Sequence, residues 1–222
     1  MSFAELLSRV RGGARDLDTF DDLARAALAD GEEEAALKEL VPAAERSNAA
    51  LLWQWSGLLQ RALDEHEQAL GSFERAAALA PNDAGIAHAR ARVALEAGVD
   101  AVELFERARS LAPTDGAVLL GLAAARNAAG SGSIAARELA EMLERAPAWI
   151  EGHEQLAQLL ATLGRGEEAT QSVERAIARF PRQPALWTAL FAIDLRREDY
   201  LGLKRNIIRA EAAGIGPDIL SL

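Results

Sequence analysis

Three histidines, His66, His88 and His153, supply the only imidazoles in this chain of 222 residues, and there is no cysteine. Their surroundings offer little chemistry. His153-Glu154-Gln155-Leu156-Ala157 opens like H-E-x-x-H, in which two histidines one helical turn apart hold zinc and the glutamate serves as base. Ala157 stands where the second histidine must be, so the metal would lose a ligand. The glycine runs at 130–133 and 164–166 lack the Lys-Ser/Thr that completes a phosphate loop, and they join helical patterns instead of a strand and a helix. They read as hairpin turns. No Ser, His and Asp arrangement stands out. These residues imply no catalysis, no cofactor and no metal. His66 is expected in an exposed turn, and His88 is either a groove residue or a solvated one.

Charge narrows the partners. The formal net charge is −10 and the pI about 4.9. Neutralising a phosphate backbone takes clustered cations, so nucleic acid is not an expected ligand. Only Lys38 and Lys204 of the 24 basic residues are lysines; the arginines are interleaved with Glu and Asp and read as a solvated, salt-bridged face. Without cysteine, neither a disulfide framework nor a thiolate metal site can form. The opening MSFAELLSRVRGGARD has no basic start followed by a long apolar run, and no stretch of about 18 apolar residues occurs. The expectation is a cytoplasmic protein without a membrane partner.

Half of the residues are hydrophobic, which suits close-packed helices. Their order repeats. In 50–83, Trp53, Gly57, Ala69, Phe73, Ala76 and Pro81 mark two helices and a turn. Small residues stand where two backbones meet, bulky ones between hairpins, and the proline closes the second helix. Pro81, Pro113, Pro147 and Pro181 recur at 113 − 81 = 32, 147 − 113 = 34 and 181 − 147 = 34 residues. Ahead of the later prolines stand Ala101 and Phe105, Ala135 and Leu139, and Ala169 and Val173.

These landmarks resemble the tetratricopeptide repeat, W-x2-L-G-x2-Y followed by A-x3-F-x2-A-x4-P, with Ser56 in place of Leu and Gln60 in place of Tyr. The resemblance covers about residues 16–216. It implies an all-α fold, a right-handed α-α superhelix (solenoid) of about six helix-turn-helix repeats, at 16–49, 50–83, 84–115, 116–149, 150–183 and 184–216. Residues 1–15 hold a capping helix with Phe3, Leu6, Leu7 and Val10 on one side. Residues 217–222 read as the start of a further helix or a C-terminal stub. Three local expectations go with this: Pro42 kinks or shortens the second helix of the first repeat, Gly98-Val99-Asp100 is a turn two residues short, and 130–133 is the most flexible loop.

In the family, first helices line a concave groove that holds a peptide or a partner's helix. Carried onto this sequence, the groove residues are Trp55, Leu58, Arg61, His88, Arg92, Leu120, Asn127, Gln155 and Gln158, with a merely solvated wall as the alternative. Chaperone-binding members grip a C-terminal carboxylate with Lys and Asn. Here the corresponding places hold Gln54, Leu58, Ala89, Ala117 and Gly121, so that clamp is absent. The first functional reading is a non-catalytic scaffold for a peptide or protein partner. The alternative is the N-terminal, substrate-recruiting arm of a larger bacterial enzyme of the sulfotransferase, glycosyltransferase or 2-oxoglutarate and iron oxygenase type. Self-association through the C-terminal end, where Ile215, Ile219, Leu220 and Leu222 adjoin Trp187 and Phe191, is a third.

Overall fold

The computed structural model describes residues 1–216, and over these the chain is all α-helical. The expected stub at 217–222, with Ile219, Leu220 and Leu222, lies outside the described residues. A short helix α1 (Phe3–Arg11) precedes six hairpins: α2 (Leu17–Asp30) with α3 (Glu33–Ser47), α4 (Ala50–Ala62) with α5 (His66–Leu79), and α6 (Ala84–Glu96) with α7 (Val102–Leu111). Then come α8 (Gly116–Ala128) with α9 (Gly132–Arg145), α10 (Ile150–Thr162) with α11 (Gly166–Arg179), and α12 (Pro184–Arg196) with α13 (Tyr200–Ala212). The chain forms two compact units, Met1–Gly121 and Leu122–Leu222, whose boundary falls within α8.

Each hairpin reverses through one residue in the left-handed region: Gly31, Asp64, Gly98, Gly130, Gly164 and Glu198, with φ between 57° and 77°. Four are glycine, which adopts this conformation without a Cβ penalty, while Asp64 and Glu198 bear it.

In the first unit, α1 is held by a capping box. The Glu5 amide donates to Ser2 Oγ, and the Ser2 amide donates to the Glu5 carboxylate at 2.9 Å. Phe3, Leu6 and Val10 bury against Phe20, Leu23 and Leu40, while Leu7 stays half-buried. Pro42 neither ends nor shortens α3, which runs unbroken from Glu33 to Ser47. The missing amide forfeits one hydrogen bond, whereas Leu40, Ala43 and Ala44 around it are buried and hold the helix to the core. Ser56 and Gln60, the departures from the repeat pattern, are both satisfied. Ser56 Oγ donates to the Leu52 carbonyl at 2.9 Å, and the Gln60 amide hydrogen-bonds the Ser72 hydroxyl at 2.6 Å across α4 and α5.

The two missing residues are lost between the reversal at Gly98 and the crossing at Ala101, at the turn expected to be short, and the loss shows as a shorter second helix. Gly98 lies as far from the start of its first helix as Asp64 does, but α7 begins only at Val102 and has 10 residues where α5 has 14. The second helix gives up its first turn, and Asp100 Oδ1 caps the new start by accepting from the Val102 amide at 3.0 Å.

In the second unit, Gly132 and Ser133 are helical, contrary to a flexible loop across 130–133. Gly132 is buried, and a Cβ there would come within 2.9 Å of Leu163. Its role is close packing. Trp187, Phe191 and Ile215, expected in an apolar patch at the chain end, are buried instead at 2%, 1% and 6% exposure. The large apolar side chains left in solvent on the last hairpin are Leu195, Tyr200, Leu201 and Ile208. Beneath them Asn206 donates to the buried Asp194 carboxylate at 2.8 Å, and Arg209 bridges Asn206 to Glu174. Burial pushes the Asp194 carboxyl above the usual carboxylate range, against the opposing pull of Asn206.

The tightest point of the α4/α5 hairpin is Gly57, where a Cβ would fall 2.7 Å from the Phe73 ring; nothing lies within 4 Å of a Cβ on Gly71, on α5 of the same hairpin. The same substitution therefore has opposite signs. Gly57→Ala should destabilise by roughly 1–3 kcal/mol through overpacking, and Gly71→Ala should stabilise by about 0.5–1 kcal/mol through helix propensity. Thermal melts of the two variants check this, and a shift in the same direction for both would refute the packing assigned to Gly57.

Candidate functional site

The residues named for the groove fall in two places. Trp55, Leu58, Arg61, His88, Arg92 and Leu120 belong to the first unit, and Asn127, Gln155 and Gln158 to the second.

In the first unit the named side chains are largely engaged by their own neighbours. Trp55 Nε1 donates to Asp21 Oδ1 at 2.8 Å, Arg25 pairs with the same carboxylate, and the Arg25 guanidinium lies 5.2 Å from the indole centroid. Leu58 is half-buried against Ala69, Phe73 and Val93. Arg61 grips Glu96 through two bonds of 2.6 and 2.8 Å, with Arg92 3.7 Å from the same carboxylate. His88 is half-buried with its ring 6.0 Å from that of Phe105; burial first, and then the charge of Arg92, push its pKa down. Leu120 is half-buried on α8. His66, expected in an exposed turn, is instead the first residue of α5 and half-buried.

In the second unit two hollows flank α10. One, of about 190 Å³, is lined by residues that include Asn127, Gln155, Gln158 and Thr162. The other, of about 300 Å³, includes Glu154, Gln158, Thr188 and Arg196 over a floor of Ala157, Ala161 and Ala192. Gln158 borders both. Among the described residues no side chain hydrogen-bonds the amides of Asn127, Gln155 or Gln158, and Gln155 and Gln158 are exposed. Burial, and then the neighbouring Glu151, hold the Glu154 carboxyl above the ordinary range. Asp21 and Arg25 escape a motif-based reading, although Asp21 lies one repeat period before its partner Trp55; Glu96 stands at the groove offset that also gives His88 and Arg92. Asp21 and Trp55 are 34 residues apart, and Arg61 and Glu96 are 35 apart.

The tetratricopeptide repeat family model matches residues 150–193, the stretch of α10, α11 and most of α12. A tetratricopeptide repeat protein from Parabacteroides merdae shares the fold at a TM-score of 0.70 and 16% identity, covering 98% of this chain and 88% of its own. The chain has the tetratricopeptide-repeat fold. PilW, a type IV pilus biogenesis factor, matches at a TM-score of 0.64 and 16% identity over 88% of this chain and 92% of its own. YrrB, a TPR protein with an unusual peptide-binding site, matches at 0.53 and 17% over 82% and 96%. No curated protein matches the chain by sequence.

Among the described residues, no group of three or more His, Cys, Asp or Glu could hold a metal ion, and no helix is long and apolar enough to cross a membrane.

The Arg61–Glu96 pair fixes a pH dependence. Hydrogen bonds from Arg61 hold the Glu96 carboxyl below the usual glutamate range. A lowered folded-state pKa contributes stability that is present above the unfolded value of about 4.3 and lost as pH falls through the folded one. Both side chains are about one-third exposed, so solvent screens the pair. Glu96→Gln should therefore cost no more than about 1 kcal/mol at neutral pH, and its melting curve should converge with that of the wild type in acid. A gap that persists or widens in acid would contradict this pairing.

Proposed function

We propose that this protein is a non-catalytic interaction scaffold that holds an extended peptide segment of a partner along the inner face of α10 and its neighbours. The observation that carries the reading is the pair of hollows meeting at Gln158. Asn127, Gln155 and Gln158 offer amide donors and acceptors there, which suit an extended backbone whose own N–H and C=O groups need partners. Ala157, Ala161 and Ala192 keep the floor shallow enough for a main chain to approach. Glu154 and Arg196 stand at the second hollow and select charge on the bound side chains.

The first unit supports a narrower role for its named residues. Arg61 and Arg92 already share Glu96, and the Trp55 indole already donates to Asp21. A ligand carboxylate reaching Arg61 has to compete with a bidentate bond, so these arginines tune the inner surface instead of anchoring a ligand. The peptide-binding site recorded for YrrB, on a fold this chain shares, adds weight to the reading.

The test is an immobilised library of extended peptides, from which the strongest binder is titrated calorimetrically. Replacing Gln155 and Gln158 together by Ala removes exposed side chains, so melting should be unchanged, while affinity for that peptide falls by about 1–3 kcal/mol. Equal affinity of variant and wild type would remove the inner face from consideration.

A further inference from the structure

His153 occupies the place in its repeat that Trp53 and Trp187 hold in theirs, 34 residues before Trp187. The substitution keeps one feature of tryptophan and discards another. Trp187 Nε1 donates to the Pro181 carbonyl, six residues back, at 2.8 Å; His153 Nε2 lies 3.0 Å from the Pro147 carbonyl, also six residues back. A carbonyl only accepts, so Nε2 carries the proton, and Nδ1 is left as a bare acceptor. That nitrogen is buried and has no partner.

What is discarded is volume. In the two tryptophan repeats an arginine 22 residues further on covers the indole, with Arg75 4.5 Å from the Trp53 centroid and Arg209 5.5 Å from that of Trp187. Arg175 stands at the same offset from His153, and beside the smaller ring a hollow of about 340 Å³ opens between α9, α10 and α11. It shares Ala140, Leu156, Ser172 and Arg175 with a neighbouring hollow of about 470 Å³ along α9 and α11. Arg175 and Arg179, one helical turn apart, line the first hollow and have no ion-pair partner among the described residues. The carboxylate on its wall is Glu144, which leaves the site net positive in a chain of net charge −10.

We propose that this hollow is a second docking site, for an acidic peptide segment of a partner protein. A carboxylate side chain meets the Arg175 and Arg179 guanidiniums, and an apolar side chain rests beside the His153 ring against Leu143 and Leu156. The site is separate from the inner face, because it uses the side of α10 that carries His153 and Leu156 while Glu154 and Gln158 serve the other. Charge complementarity selects the occupant. A strongly acidic chain repels acidic peptides on average, so their capture has to be local.

The experiment is fluorescence polarisation with a labelled peptide of alternating Glu and Leu, and a Lys-Leu counterpart, against the full chain. The wild type should bind the acidic peptide saturably and the basic one not at all. Arg175→Gln with Arg179→Gln, both exposed positions, should weaken binding at least about tenfold. His153→Trp restores the side chain of the sister repeats and should abolish binding by filling the hollow, with a melting temperature no lower than wild type. Absence of saturable binding by the wild type, or undiminished binding in either variant, would overturn the proposal.

Discussion

Two helices can cross closely only where one of them lacks a side chain, and this protein is built on that restriction. Gly57 admits the Phe73 ring within one hairpin, and Gly121 admits Phe105 from the preceding one. Elsewhere Ala69, Ala101, Ala135 and Ala169 are buried to 2% exposure or less, so the second helices seat themselves against the first with a methyl group between them. Once these crossings are set, the bulky residues have fixed partners and the outward positions of every helix are decided. The surfaces offered to a ligand are therefore by-products of packing. A side chain reaches the inner face because its neighbour three or four residues away has been claimed by the core.

Much of this was legible in the sequence, because proline spacing and the Ala-x3-Phe pattern report on the same crossings that hold the fold together. The fold class, the alternation of helices and most of the buried set follow from them. The misreadings have one physical origin. Gly132 looks like a linker from composition and is a contact point; Pro42 looks like a breaker and sits in an unbroken helix; Trp187 and Phe191 look like an exposed end and are covered. Each is a residue whose local preference was overruled by neighbours brought in from a different helix. The partners of Trp55 and Arg61 were not legible. Nothing in the immediate surroundings of Arg61 announces Glu96, which lies 35 residues on, one beyond the repeat period.

The two units divide their resources differently. The residues named for the groove in the first are satisfied internally, by Asp21 with Trp55 and Arg25 and by Glu96 with Arg61 and Arg92. Those of the second keep open amides. Ion pairs near the surface add little stability, so those in the first unit chiefly engage donors that are otherwise open to solvent. A repeat protein can thus be selective without a closed pocket, by satisfying some of its repeats and leaving others unsatisfied.

The shortened α7 bears on how such chains change length over time. The loss of two residues falls between the reversal at Gly98 and the crossing at Ala101, and Phe105 remains fully buried. Everything after the deletion keeps its phase, because the crossing at Ala101 and the ring of Phe105 both stay buried. Insertions and deletions at that point therefore alter the outline of a repeat without disturbing its neighbours, which makes it the place where lineages of this architecture can vary in length, or receive a grafted loop, while the rest of the chain remains in register.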